Sequence, residues 1–538
     1  MKEGFRQSMA WLHTWAGLIV GWVLFFIFVT GTAGYFMHEI SRWMRPELPL
    51  HTNTVTLPSQ SAMLSLGLTK LEAKAPDAVS WTVQFPHEVH APHRGWQSFA
   101  IEWRQASSPG QRGRGSELSL DPVTGETLSQ IEARDTGGGR LLNRMHYVLH
   151  YVDRDTGVWL SGICTMLMLV AIITGVITHK KIFKYFFTFR PGKGQRSWLD
   201  AHNVISVMAL PFFLMITYSG LVIYAVQYMP APIAALYGTQ PDANRQYINE
   251  TRNGSTYLSR PDTYVSLETL LAKAALEWGE RNITSVTIRH IKGREPAIVF
   301  ERQRGTQVRA YEAQVMRFHA ISGERLADLP EKPLALKTSE SFRALHEAKF
   351  AGTGLRWLFF LAGLLGCGMI GTGLVLWTVK RRRQYQGKFH FGFRLVEALN
   401  LATIAGLPAA IAAYFWANRL LPLDMAERPA WEAHVLFLVW GEIFLFACFR
   451  QPKKAWIEIF GVSAAAFIFL PVLNAMTTER HLGVTLTKGD WQLAGFDLTM
   501  LLLGVIFVIM TLKVRKIWLK PVNNKTALPA MEMREATL

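Results

Sequence analysis

The chain has 538 residues, a formal net charge of +17, 50% hydrophobic content and only 18% charged residues, with a mean hydropathy of +0.14. So much apolar material with so few charges excludes a soluble protein and makes the chain an integral membrane protein. Its lysines and arginines cluster beside apolar runs rather than in a patch interleaved with aromatics, so they read as a topology signal and no nucleic-acid partner is expected.

Lys2 and Arg6 precede an apolar segment over 11–37, long enough to cross about 30 Å of hydrocarbon. It runs into YFMHEISRWMRPEL without a small-residue cleavage site, so it reads as an uncleaved anchor. The polar stretch that follows has helical spacing over 64–75 and strand alternation over 80–85 and 98–103. SELSLDPVTGETLSQI then reads as strand, turn, strand, completing a small α+β domain. Next come MHYVLHY, an apolar run over 158–178, the basic loop HKKIFKYFFTFRPGKGQRSWLDAHN, and a third apolar run from Val204.

A second polar region, 227–354, repeats the order with a helix over 266–280 and strands over 284–290 and 297–300. QVMRFHAISGERLADL closes it, with Gly323 where Gly125 stood. The repeat is larger than the domain: RMHYVLHY precedes IITGVITHKK, and RALHEAKF precedes MIGTGLVLWTVKRRR, so each second span follows a histidine and contains a Thr-Gly pair. After the run over 355–379, four more follow at 395–416, 431–449, 455–474 and 493–512, then a short basic tail. Cys164, Cys367 and Cys448 all lie inside apolar runs, which leaves no disulfide framework, zinc site or cysteine-held iron–sulfur cluster.

The expected fold is a polytopic α-helical membrane protein with eight transmembrane helices and two small α+β domains. Its parts are 1–41 (first span), 42–144 (first domain), 145–226 (spans two and three with the basic loop), 227–342 (second domain), 343–386 (fourth span), 387–513 (spans five to eight) and 514–538 (tail). With eight spans the segments around Lys2, 180–196, 380–383, 450–454 and 513–520 share one side, so both termini are expected in the cytoplasm and both α+β domains across the membrane.

Histidines stand at the mouths of the spans, which suggests metal or haem chemistry across the membrane. His13, His179 and His202 share one level; His146, His150 and His346 share the other, with His38 read as an interfacial residue. In His87, His90 and His93 a spacing of three gives no single strand face, so a metal site is not expected there. Lys180, Lys181, Lys184, Arg190, Lys193 and Arg196 read first as an inside-positive anchor and second as a site for anionic groups. The aromatic-rich 182–189 reads as an interfacial helix. No Gly-rich dinucleotide fingerprint stands out, so flavin or nicotinamide chemistry is expected from a partner.

The order and spacing of LHTWAGL, MHYVLHY, THKKIF with FFTFRPGKGQRSWLDAHN, MITYSGLV, and LH followed by GTGLVLWTVKRR resemble the PepSY-associated transmembrane family over about 1–386, and SLDPVTGETL resembles a PepSY domain. That family includes periplasmic ferric-siderophore reductases with two b-type haems. The resemblance implies a bacterial inner-membrane protein with periplasmic PepSY-like domains. It implies an oxidoreductase that passes electrons from a cytoplasmic or membrane donor, a reductase or quinol, to a ferric siderophore. Bis-imidazole ligation needs two histidines on facing helices, for which the expected pairs are His13 with His202 and His150 with His346. His146 and His179 compete for ligation or orient the ligands within each trio. PepSY domains also serve as inhibitory or binding modules, so a non-redox sensor or a helper of siderophore transport is the alternative. The last four spans carry no motif.

Overall fold

The structure is a computed structural model that describes residues 4–50, 57–89, 95–106, 115–128, 132–179, 188–240, 243, 246–247, 257–302, 314–327, 333–348, 350–382, 384–385 and 389–518. His90, His93, Arg94, Lys180, Lys181 and Lys184, and most of 182–189, lie outside these residues.

Among the described residues, seven helices are long and apolar enough to cross a membrane. They are α1 (Phe5–Gly34), α5 (Arg154–Thr178), α10 (Thr353–Arg381), α11 (Phe391–Leu420), α12 (Arg428–Phe449), α13 (Pro452–Thr477) and α14 (Trp491–Trp518). Each has at least 22 residues, about 33 Å of helix, and therefore matches the hydrocarbon thickness. The third apolar run is different. It forms α6 (Gln195–Met208) and α7 (Leu210–Ile223), bent by 67° at the break, and counts as an eighth crossing only if the pair is one span. Pro211 explains the break, because it lacks an N–H for the carbonyl four residues earlier and its ring crowds that carbonyl.

Short helices cap the bundle at the other level. These are α2 (Met37–Trp43), which follows α1 almost directly, α4 (Gly138–Val148), which packs on α1, α2 and α5, and α9 (Leu334–Glu347), which packs on α7.

The polar regions yield α3 (Gln60–Lys74) with β1 (Ser80–Gln84), β2 (His87–Val89), β3 (Gly95–Gln97), β4 (Ala100–Arg104) and β5 (Gly115–Ser119). The second yields β6 (Tyr257–Leu258), α8 (Leu267–Trp278), β7 (Ile283–Ile291), β8 (Ala297–Arg302) and β9 (Gln314–His319). Sequence reading treats them as two units, yet they share one antiparallel sheet of order β5-β4-β1-β7-β8-β9, joined where β1 pairs with β7, with β6 on β7. The alternation explains the union. Trp81, Val83, Ile101, Val286, Ile288, Ile298, Phe300, Met316 and Phe318 point to one face, where Leu64 and Leu71 of α3 and Leu267, Leu270 and Ala274 of α8 close a common core. The same turn ends both halves: Gly125 at φ +66° donates to the Asp121 carbonyl, and Gly323 at φ +71° donates to the His319 carbonyl.

Candidate cofactor sites at two levels of the bundle

Four histidines are held in four versions of one local arrangement. On α5, the Ala171 carbonyl lies 2.8 Å from His13 Nδ1, and Gly175, one turn on, lies under the ring. On α10, the Met369 carbonyl lies 2.9 Å from His202 Nδ1, and Gly373 lies under that ring. On α1, the Ile27 carbonyl lies 2.7 Å from His146 Nδ1, with Gly31 beneath. On α7, Ser219 Oγ lies 3.0 Å from His346 Nδ1, the Ile216 carbonyl also accepts, and Gly220 is beneath.

Each glycine is preceded by a hydroxyl residue. Thr30, Thr174, Thr372 and Ser219 donate to the carbonyl four residues back in their own helix, at 2.6 to 2.7 Å. The hydroxyl proton is thereby used, and the glycine gives the imidazole room to lie against the backbone. A Cβ on Gly175, Gly220 or Gly373 would stand 3.2 Å from the ring's Cε1, and one on Gly31 only 2.6 Å.

These contacts fix the tautomer. A carbonyl only accepts, and Ser219 Oγ has already given its proton to Met215, so Nδ1 carries the hydrogen in all four rings. The lone pair of Nε2 is then the free donor in each, the state of a histidine prepared to ligate a metal.

The four rings form two pairs. His13 and His202 have ring centres 6.2 Å apart, and His146 and His346 have centres 5.9 Å apart. The first pair is the one expected from sequence. The second replaces His150 with its neighbour one turn earlier. His150 stacks on Phe437 at 5.0 Å and abuts Tyr151 at 4.2 Å, so it is not brought to His346. Leu149 and Tyr151, both at positive φ, break the helix after Val148 and turn His150 away. His179 interacts with the His13 and His202 rings and bonds the Asn203 side chain. His87 Nδ1 bonds the Phe85 carbonyl across 2.7 Å.

The repeat seen in sequence reaches the site. Eighteen residues separate His13 from Gly31 and eighteen separate His202 from Gly220. Within each half the span carries one histidine and the socket for another. The Thr-Gly pairs at 174–175 and 372–373 were legible as repeated features, whereas Thr30-Gly31 and Ser219-Gly220 were not connected to histidines, because the histidines they hold lie more than a hundred residues away.

The family model described as the PepSY-associated TM region matches residues 10–380, from the first turns of α1 to the end of α10. The chain belongs to that family. No curated protein matches the sequence. All four sockets of this PepSY-associated chain fall within the matched residues, and α11–α14 fall outside them.

Those outer helices hold a buried polar network that sequence reading missed. Glu432 and Arg428 of α12 are within 1% of full burial and 2.7 Å apart. Glu432 also accepts from Thr136 Oγ1 at 2.6 Å, from the Gly137 N–H at 3.0 Å and from Asn418 Nδ2 at 2.7 Å. Arg419 donates to the Trp43 carbonyl at 2.6 Å and lies 3.8 Å over its ring, while Trp43 Nε1 donates to Asp497 at 2.9 Å. The network therefore clamps α2 and the start of α4, the helix that presents His146. Ionisable residues inside apolar runs were the available signal.

Proposed function

We propose that the chain is a di-haem electron carrier of the bacterial inner membrane that reduces ferric iron held in a siderophore on the periplasmic side and so releases it. What carries the reading is the two imidazole pairs, at 6.2 and 5.9 Å, with Nε2 free in all four rings. Each pair could hold one iron-bearing group between its two imidazoles. On the inner side of Gly373, Trp377 Nε1 and Arg381 Nη1 are buried donors without a hydrogen-bond partner among the described residues, of the kind that haem carboxylates would take up.

His13 and His202 would hold the inner group, and His146 and His346 the outer one. When bound, each haem supplies a one-electron ferric/ferrous couple. The chain's part is to keep each Nδ1 proton on a carbonyl or hydroxyl, which raises Nε2 basicity, and to fix ring orientation by burial against glycine. From His13 to Ile27, the outer socket's carbonyl, is 14 residues of α1, about 21 Å, so the two levels lie within one helix length. Hard oxygen ligands hold ferric iron far better than ferrous iron, so reduction is release chemistry.

In this reading α6 and α7 make one span, for eight in total. The basic segments and both termini face the cytoplasm, and the sheet stands in the periplasm beside the outer pair. The test is reoxidation: reduced protein in liposomes should be oxidised by a ferric siderophore with appearance of a ferrous-chelator complex, and His346→Ala should block it. Reoxidation no faster than in buffer, across hydroxamate, catecholate and citrate chelates, would remove the siderophore from the account.

A further inference from the structure

A groove of about 1210 Å³ runs between α1 and α10 on one side and α11, α13 and α14 on the other, where the family-matched helices meet the four outside them. Along α10 it is lined from Arg356 to Arg382, which is 26 residues or about 39 Å of helix. One leaflet is about 20–22 Å including its headgroups, so a single phospholipid fills only about half of it.

At the groove's middle and inner end, Asn400, Arg382 and Glu397 have partners. Asn400 accepts from Trp22 Nε1 at 2.9 Å and donates to the Leu374 carbonyl at 3.0 Å, and Arg382 pairs with Glu397 at 2.9 Å. The outer end differs. Glu39 is about nine-tenths buried; its Oε1 takes Arg356 Nη1 at 2.6 Å, but its Oε2 has no hydrogen-bond partner among the described residues. Phe36, Trp357, Phe360 and Trp491 line this end with rings. A buried carboxylate oxygen without a donor is costly, and the site asks for a ligand that brings one.

We propose that this groove binds a prenylated quinol, its ring hydroxyl donating to Glu39 Oε2 and its tail lying along α10 and α14. A phospholipid could donate to the carboxylate only through a headgroup amine or hydroxyl, with its phosphodiester anion held close to Glu39, whereas a neutral dihydroxy ring supplies the donor without a charge and fits the aromatic lining. The site rests on the electron-transfer reading for its role: it would be the entry point of the membrane donor, one contact from the outer pair through Tyr35, whose carbonyl accepts from Arg356 at 3.3 Å and whose hydroxyl reaches the His346 carbonyl at 3.5 Å. Oxidation of the quinol breaks both O–H bonds. One proton passes to Glu39 Oε2 and the other to solvent, and haem held at the two imidazole pairs would supply the one-electron acceptors for the two electrons.

The test reads binding, not turnover. Organic extraction of the purified protein should yield a quinone in near-stoichiometric amount. Calorimetric titration with menaquinol-4, kept reduced under anaerobic conditions in detergent, should saturate, with Glu39→Gln at least about tenfold weaker because a charge-assisted bond is lost. Thr499→Trp, which fills the groove from α14 and leaves Glu39 in place, should weaken the same ligand comparably, with Thr499→Leu intermediate. Extraction of phospholipid alone, or menaquinol-4 affinity unchanged in both Glu39→Gln and Thr499→Trp, overturns the proposal. Saturable menaquinol-4 binding by a protein that holds no haem supports the site and overturns the electron-transfer reading instead.

Discussion

Gly31→Ala isolates what the sockets do. The new methyl would stand 2.6 Å from His146 Cε1, and closer still to Nδ1, where ordinary contact begins near 3.4 Å. The ring must therefore retreat by nearly 1 Å, at an overpacking cost of about 1–3 kcal/mol. It also gives up the bond to the Ile27 carbonyl, about 0.5–1.5 kcal/mol. The sum, about 1.5–4.5 kcal/mol, corresponds to an outer haem held about 10- to 2000-fold less tightly. Glycine to alanine within a helix otherwise adds stability of about 1 kcal/mol, so a generic effect has the opposite sign. Gly373→Ala is the internal control: its methyl meets His202 Cε1 at 3.2 Å, a few tenths of an ångström too close, so the inner haem should loosen much less. Haem transfer to apomyoglobin, followed by absorbance, measures both. Gly31→Ala releasing haem no faster than wild type, or Gly373→Ala releasing more than Gly31→Ala, refutes the socket account.

Three further outcomes are expected. A reporter fused after the C-terminus should lie in the cytoplasm and one inserted near residue 110 in the periplasm; both on one side would break the eight-span topology. Glu432→Ala leaves Arg428 buried without its partner and should cost about 3–5 kcal/mol, seen as a lower thermal midpoint and as loss of the outer haem before the inner; an unchanged midpoint would show that the network does not clamp α4. On the polar face of the sheet, burial and then the nearby Glu117 and Glu301 carboxylates raise the Glu102 pKa above its ordinary 4.5. A raised carboxylate contributes stability at low pH that is lost as pH climbs through its folded value, so β4 amides should exchange faster relative to intrinsic rates at pH 8 than at pH 5, and Glu102→Gln should flatten that difference.

Much of the architecture is legible because its signals are local. Apolar runs long enough to span report helices directly, and the alternation over 80–85 and 284–290 reports strands. What the sequence does not carry is the pairing of β1 with β7, because two edges with suitable patterns can stay apart or join and only their shared core decides. The break at Pro211 was visible as a residue but lay inside a run whose hydropathy reads as continuous. At the outer level, His146 and His150 differ by one turn on an extended helical pattern. The choice between them depends on where α4 ends, and positive φ at Leu149 and Tyr151 is a tertiary result that no spacing announces. The hydroxyl-glycine pairs were readable as motifs, and their meaning required seeing which ring each one holds.

The most direct test of the central claim is the absorption spectrum of the purified protein, oxidised and dithionite-reduced, for wild type and three single variants. The account predicts two low-spin bis-imidazole b-type haems in the wild type, loss of one in His146→Ala, loss of the same one in His346→Ala, and retention of both in His150→Ala. A wild type without haem, or a His146→Ala protein that keeps both haems while His150→Ala loses one, contradicts it.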